Sequence, residues 1–228
     1  TEEIALGTIV GSNISNIALI FGVSLVGYST AINPSSKRNF IALGLSVLVA
    51  IYALSDLIIS NFDSLMLLAV LTYFIYIMAI QPNSDEIVVE QNNSSYLNLS
   101  IFLIIGLLSI TIGSNYAVIN GEKIAFLIGI PKLIIGLTVL AIGTSLPELA
   151  VTISALMKQK NQMVLGNIIG SNVLNIAVVM PILGLFSAKS FDPSIITRDM
   201  SVMTILSLIF VMIALSFNYK NIPINVYR

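Results

Sequence analysis

The sequence contains no cysteine, no histidine and no tryptophan among its 228 residues, and only 9% of its residues are charged. The absence of cysteine excludes disulfides and thiol chemistry, and the absence of histidine excludes His-ligated zinc and a histidine general base. Without tryptophan, tyrosine alone must supply any aromatic belt at a membrane interface. The net charge of −1 provides no basic footprint for nucleic acid.

Apolar residues dominate the chain instead: 57% are hydrophobic, and the mean hydropathy is +0.99. A soluble domain usually carries about 25% charged residues, so a chain with this few charges cannot cover its surface in water. The sequence therefore predicts an all-α polytopic protein of the lipid bilayer, in the plasma (cell inner) membrane. Because a helix needs about 20 apolar residues to cross, seven spans are predicted: Ile4–Tyr28, Phe40–Ile59, Leu65–Ile80, Leu97–Ile119, Leu133–Met157, Met163–Phe186 and Ile195–Phe217.

The connections between the spans are short, and residues 81–96 form the longest polar stretch. We interpret this stretch as a cytoplasmic loop between two halves, residues 1–80 with three helices and residues 97–228 with four. Alternate loops carry six and four basic residues, so the positive-inside rule places the richer set in the cytoplasm. The richer set is Lys37, Arg38, Lys158, Lys160, Lys220 and Arg228, and the other is Lys123, Lys132, Lys189 and Arg198.

A 13-residue segment occurs twice in the chain. Leu6–Ala18 and Leu165–Ala177 are related by a constant offset of 159 residues, and nine of the 13 positions are identical, including Gly-Ser-Asn-x-x-Asn in register. The copies lie on the first and the sixth spans. Because these spans are five apart, the copies enter the membrane from opposite faces, as in transporters built from inverted repeats around a midplane ion site.

Close helix packing through small residues is the alternative interpretation of these segments. Gly7 and Gly11 are spaced for packing, as are Gly166 and Gly170. Packing does not explain the two asparagines in each copy, because a buried amide without a partner costs about 1–3 kcal/mol. The presence of four such amides therefore indicates that their oxygens have a function, as expected at an ion site.

The fifth span is predicted to break at Pro147, within the run Gly-Thr-Ser-Leu-Pro-Glu of residues 143–148. Proline has no N–H, so the carbonyl of Gly143 loses its helical partner, and such a carbonyl persists in a membrane only where protein, water or an ion meets it. Glu148 follows at mid-span, where a charge costs about 2.5–3.5 kcal/mol on insertion scales. Among the eleven acidic residues, Glu148, Asp56 and Asp199 fall within predicted spans, and Asp56 and Asp199 lie near span ends. We interpret Glu148 as a cation ligand, the alternative being a protonated carboxyl hydrogen-bonded across the bundle.

The atoms that this region offers as metal ligands are oxygens. Calcium takes about six to eight oxygen ligands, whereas the absence of histidine and cysteine disfavours zinc, copper and iron. One carboxylate is few for a divalent ion, so the symmetry of the repeat predicts a second on a span before Thr1. The candidate side-chain donors in the chain are Glu148, Thr144, Ser145, Ser171, Asn175, Ser12 and Asn16, together with the freed carbonyls.

Residues 143–149 followed by 166–176 resemble the second α-repeat of the sodium/calcium exchanger family of cation/calcium antiporters, and Leu6–Ala18 resembles the latter half of the first α-repeat. The resemblance covers almost the whole chain in span order. It implies an inverted-repeat antiporter fold of ten helices, of which this chain, starting at Thr1 rather than methionine, holds seven, from the third to the ninth. The sequence is thus interpreted as a fragment of a prokaryotic-type member.

The resemblance also implies a function and roles for residues. The function is sodium/calcium antiport by alternating access, in which the first and sixth family helices slide past a fixed core. The sixth is Leu97–Ile128 here, and its Gly106 and Gly113 are explained equally well by sliding and by helix packing. No cofactor is implied, and calcium and sodium are the transported ions. Glu148 is then a main ligand of both ions, Thr144 and Ser145 supply carbonyl and hydroxyl oxygens, Ala141 supplies a carbonyl, Ser12 and Ser171 supply sodium-site hydroxyls, and Asn16 and Asn175 occupy paired central positions.

Alternatives to sodium/calcium exchange stay open at this stage. Many exchangers have aspartate at one of the two central positions, where this chain has Asn16 and Asn175, so the ion stoichiometry and any potassium dependence are undecided. A proton/calcium antiporter is the main rival, and a non-transporting membrane scaffold is a remote one. An intramembrane hydrolase is disfavoured, because Ser145 has no histidine or lysine base near it. The oligomeric state is not predicted.

Overall fold

The computed structural model describes residues 2–27, 37–80, 96–129, 141–158, 160–186 and 190–220. Within these ranges the chain is helical apart from short turns and contains no strand, which confirms the predicted all-α fold. The predicted loop before Tyr96 lies outside the described residues. The α-helices are α1 Glu2–Ser15, α2 Gly22–Gly27, α3 Lys37–Ala53, α4 Asn61–Ile80, α5 Tyr96–Leu127, α6 Ala141–Thr144, α7 Leu146–Met157, α8 Asn161–Leu174, α9 Met180–Phe186 and α10 Ser201–Lys220.

The structure also contains three π-helical segments, π1 Asn16–Phe21, π2 Asn175–Val179 and π3 Ile195–Met200. The first two each join two α-helices into one span, and the third leads directly into α10. The first span therefore runs as α1–π1–α2 and the sixth as α8–π2–α9. Both π1 and π2 begin at the second asparagine of the repeated segment, Asn16 and Asn175. π-Helical turns inside α-helices are rare and occur frequently at functional sites. The repeat thus extends from sequence to backbone geometry.

Five helices within the described ranges are long and apolar enough to cross a membrane, so the chain is an integral, multi-pass membrane protein. They cover the predicted first, third, fourth, sixth and seventh spans. The second span is the 17-residue helix α3. The fifth is described from Ala141 onward, and its residues 133–140 lie outside the described part.

The predicted second span, Phe40–Ile59, extends too far at its C-terminal end. Helix α3 ends at Ala53, and a turn follows in which Leu57 has a positive φ of 67°. Ser60 and Asp63 then form a capping box that begins α4: Asp63 Oδ2 accepts the Ser60 N–H at 2.8 Å, and Ser60 Oγ accepts the Asp63 N–H at 3.2 Å. Ile59 misled the prediction because it is buried within the turn, at 2% exposure, and not in a helix.

Helix α5 is longer than its predicted span and is weakly attached to the other helices. It continues past Ile119 to Leu127, and Gly129 with a φ of 81° donates its N–H to the Phe126 carbonyl just beyond the helix end. No described side chain of α5 is buried. In contrast, the first and the sixth spans supply much of the core, including Leu6, Ile20, Ile168 and Ile176.

Candidate cation-binding site

The repeated segments lie against each other and against the broken fifth span. Ser12 on α1 shares a hydrogen bond of 2.8 Å between its Oγ and Thr144 Oγ1 at the end of α6. Asn16 donates Nδ2 to Ser171 Oγ on α8 at 3.1 Å, although 155 residues separate the two. Ser171 Oγ in turn lies 2.8 Å from the carbonyl oxygen of Asn167, to which it donates. Four of the predicted site residues therefore meet in two direct pairs.

The second central asparagine pairs with a residue outside the predicted ligand set. Asn175 donates Nδ2 to Asn13 Oδ1 at 3.2 Å, and Asn13 donates Nδ2 to Met203 Sδ on α10 at 3.6 Å. Asn13 is 1% exposed and Met203 is fully buried. The sequence analysis counted Asn13 among the four amides of the repeat but left it out of the predicted ligand set. Its signal was the repetition of that asparagine at Asn172.

The fifth span breaks as predicted. Helix α6 ends at Thr144, Ser145 forms a turn with its N–H donated to the Ile142 carbonyl at 3.0 Å, and α7 begins at Leu146 with Pro147 in its first turn. Glu148 stands in that first turn, near the positive end of the helix dipole, where a carboxylate is favoured.

Asn167 links this break to the second repeat, and sequence reasoning missed it. Its Nδ2 donates at 3.0 Å both to the backbone carbonyl of Glu148 and to Thr152 Oγ1. Thr152 is fully buried. The available signal was a departure from the repeat, because Asn167 stands where the first copy has Thr8. Helix α8 is thereby fastened to α7 beside the carboxylate.

Five buried side-chain atoms in the described ranges have no hydrogen-bond partner: Ser15 Oγ, Asn16 Oδ1, Ser145 Oγ, Glu148 Oε2 and Asn172 Oδ1. Buried polar atoms are satisfied in the large majority of cases, so each exception calls for an explanation. Three of the five belong to predicted ligands, and all five are oxygens. Oxygen atoms alone are the ligand set of hard cations such as sodium and calcium.

The structure brings most, but not all, of the predicted set together. Ser12, Thr144, Asn16 and Ser171 are paired, and Asn175 joins them through Asn13. Ser145 and Glu148 occupy the adjacent break. Ala141 begins α6, three residues before Thr144. Within the described part of the chain no group of three or more acidic residues could hold a metal ion. Glu148 is the acidic residue of the broken span.

The packing interpretation of the repeat glycines is wrong for three of them. A Cβ added at Gly7, Gly166 or Gly170 would meet nothing within 4 Å. Close approach occurs instead at Gly143, where a Cβ would clash with Val118 Cγ2 of α5, and at Gly184 on α9. Spacing alone did not identify which glycines face a neighbour.

Helices that carry an inverted repeat, meeting around buried oxygens and a broken span, define a membrane transporter of cations. The chain belongs to the sodium/calcium exchanger family, whose model, described as sodium/calcium exchanger protein, matches residues 2–80 and 98–226. The family is a transporter family, so the chain's class is a cation/calcium antiporter. The inner membrane protein YrbG of Escherichia coli is 35% identical over 224 residues, which covers 93% of this chain and 69% of that protein.

Two further relatives extend the comparison. The putative antiporter CaxA of Alkalimonas amylolytica is 30% identical over 223 residues, covering 93% of this chain and 70% of that protein. A solved structure of the sodium-calcium exchanger NCX_Mj, soaked with 10 mM Na+ and 10 mM Sr2+, matches with a TM-score of 0.74 at 29% identity. That match covers 96% of this chain and 70% of the other. The inverted-repeat antiporter fold is thereby confirmed.

Proposed function

We propose that this protein exchanges sodium for calcium across the membrane. The observation that carries the proposal is the group of buried, unpartnered oxygens on Asn16, Ser145 and Glu148, at the place where both repeats meet the broken span. An ionised carboxylate in a membrane is costly without a partner, and a bound cation supplies one. The solved relative of similar fold is named a sodium-calcium exchanger, which favours these two ions.

In this proposal sodium and calcium compete for overlapping oxygens. Glu148 is a ligand of both ions, with Thr144, Ser145 and the Ala141 carbonyl around it. Ser12, Ser171, Asn16 and Asn175 complete the sodium positions. Because the ions share Glu148, the site is loaded with one kind at a time, and a downhill sodium gradient expels calcium.

Helix α5 is the element whose movement would open and close access. It touches the rest of the described chain at α6 and α7, where Val118 fits against Gly143 two residues before Ser145. The proposed roles of Gly106 and Gly113 in sliding gain no support from close contacts, because a Cβ at either would meet nothing within 4 Å. Movement of α5 therefore acts through its contact at Gly143.

Calcium uptake into sodium-loaded vesicles containing the full-length protein tests the proposal. We expect uptake under an outward sodium gradient and its collapse when potassium replaces sodium. Uptake indifferent to sodium but driven by a pH gradient would assign the protein to proton/calcium antiport, with Glu148 carrying protons as well. No calcium movement under either gradient would refute calcium transport and leave the oxygens to another cation.

A further inference from the structure

Two of the proposed ligands are asparagines, and an asparagine binds a cation only with its oxygen. The amide NH2 group carries partial positive charge and repels a cation, so the side chain must be held with the correct edge toward the ion. A carboxylate has no such requirement, because both of its edges are oxygens. A site that uses Asn175 therefore needs a device that sets which way its amide faces.

Met203 and Asn13 have the geometry of that device. The Met203 thioether has no hydrogen to donate, so Asn13 must present its NH2 to the sulfur, at 3.6 Å. The Asn13 oxygen then faces Asn175 and accepts its Nδ2 at 3.2 Å. Both Asn13 and Met203 are fully or almost fully buried, which removes water as a competing partner. The reverse orientation of either amide would oppose two acceptors or two donors.

We propose that Asn13, anchored by Met203, is a positioning residue that turns the oxygen of Asn175 toward the transported cation. The inference rests on the proposed function, since it assumes that Asn175 is a cation ligand. It extends that function to two side chains that were not among the predicted ligands. The Met203 sulfur orients the Asn13 amide, and the Asn13 amide in turn orients the Asn175 amide, without any charged group.

The repeat provides a matched control for this role. Asn172 is the counterpart of Asn13 at the 159-residue offset and is equally buried, at 1% exposure. Its Nδ2 donates to the Ile168 carbonyl of its own helix at 2.7 Å instead of orienting an amide in the other copy. Leucine is similar in size to asparagine, so replacing either residue by leucine removes one buried amide and largely keeps the packing. Only the change at position 13 removes the orientation of Asn175.

The expected effects follow from the fraction of molecules with Asn175 correctly turned. Asn13→Leu removes the oxygen that accepts the hydrogen bond from Asn175 Nδ2. We therefore expect ion binding to weaken roughly five- to tenfold, the range of one net hydrogen bond. Met203→Leu keeps the volume but removes the sulfur, so that both orientations of the amide pair become comparable. A site half of whose molecules are competent binds about twofold more weakly. The effect of Asn172→Leu should not depend on whether residue 175 is an asparagine or an aspartate, because Asn172 does not orient residue 175.

The measurement is ion-dependent protection of the purified full-length protein against thermal unfolding, with calcium chloride and sodium chloride titrated separately. It is repeated in an Asn175→Asp background, where no amide needs turning. We expect Asn13→Leu to weaken protection in the native background and to have no further effect beside Asn175→Asp. If the loss caused by Asn13→Leu is the same in both backgrounds, as expected for Asn172→Leu, Asn13 is merely structural and the inference is overturned. Absence of protection of the native protein by either ion would instead refute the proposed function.

Discussion

The two copies of the repeated segment are nearly identical in sequence but use their polar side chains differently. In the first copy, Ser12 and Asn13 form hydrogen bonds with other elements, at Thr144, Asn175 and Met203. In the second, Ser171 and Asn172 donate to carbonyls of their own helix. The same residues thus have different partners because the helices packed around them differ. Symmetry of sequence does not imply symmetry of chemistry within the site.

The two copies also differ in how they are connected to the broken fifth span. The second copy lies beside the only described acidic break and is fastened to it by Asn167, whereas the first copy reaches across to the same place through Ser12. Among the described residues, the second copy is therefore the one tied to the carboxylate, and the first copy supplies neutral oxygens to the same place. This division predicts that substitutions near Glu148 have larger effects than substitutions of the neutral oxygens in the first copy.

The largest effect is expected from Glu148→Gln, which preserves shape and removes the charge. At an effective dielectric of about 20, a unit charge roughly 4 Å away is worth about 4 kcal/mol, so we expect sodium-dependent calcium flux to fall at least about a hundredfold. The measurement is initial uptake into sodium-loaded vesicles, normalised to inserted protein. Asp56→Asn is the matched control, because Asp56 lies in an exposed turn where its Oδ1 accepts the Ile58 N–H. Flux retained by Glu148→Gln would remove Glu148 from the ligand set.

The next effect is expected from Asn167→Leu, which releases the second copy from α7. Both hydrogen bonds of its Nδ2 are lost, at the Glu148 carbonyl and at Thr152 Oγ1, and we expect roughly tenfold slower flux at saturating ion. Thr152→Val removes only the second bond and should have a smaller effect. The maximal rate and the half-saturating calcium concentration are measured for both variants. If Thr152→Val is as harmful as Asn167→Leu, the link to the Glu148 backbone is unimportant.

A smaller effect distinguishes the two serines. Ser171→Ala removes a hydroxyl and also leaves Asn16 Nδ2 without its acceptor, so we expect the half-saturating sodium concentration to rise roughly fivefold. Ser12→Ala leaves the Thr144 hydroxyl free to rotate to another partner, and a rise of about twofold is expected. Sodium dependence of calcium uptake is the readout. A larger effect at Ser12 than at Ser171 would reverse the proposed division between the copies.

The sequence predicted the features of the fold that depend on composition and on local chemistry. Five of the seven spans predicted from apolar length are long apolar helices within the described residues. The inverted arrangement follows from the offset between Leu6–Ala18 and Leu165–Ala177, and the break from the missing N–H of Pro147. The candidate ligands follow from the oxygens near that break and from the resemblance to a family. These features are largely independent of which helix packs beside which, and most of the predicted site residues do lie together.

Features that depend on neighbouring helices were not predicted. The π segments at Asn16 and Asn175 require a one-residue change in helical register that no residue type encodes. The orientation of Asn13 depends on a sulfur 190 residues away. The end of α3 was misjudged because apolar residues were taken to continue the helix, whereas Ile59 is buried in the turn that follows it. Spacing of glycines likewise says nothing about which face of the helix meets a neighbour.

The smallest effect on transport, though not on stability, is expected from Gly184→Ala on α9. A Cβ there would lie 2.5 Å from Ile59 Cγ2 and 2.8 Å from Ser64 Oγ, and Ile59 is held in the buried turn before α4. The residue that corresponds to Gly184 at the 159-residue offset is Leu25, so the first and sixth spans differ at this position beyond the two copies. We expect destabilisation of about 1–3 kcal/mol, seen as a lower unfolding temperature in detergent, with unchanged ion affinity in the folded fraction.

Two further variants establish whether the contact with Ile59 is the cause. Gly44→Ala serves as the control, because a Cβ at this position of α3 would meet nothing within 4 Å, and alanine favours a helix over glycine by about 1 kcal/mol. Its unfolding temperature should therefore be unchanged or raised. Ile59→Ala removes the clashing Cγ2, so adding Gly184→Ala to it should lower the unfolding temperature much less than Gly184→Ala does alone. If the two changes are additive, the space at Gly184 is not set by Ile59, and this difference between the copies has another origin.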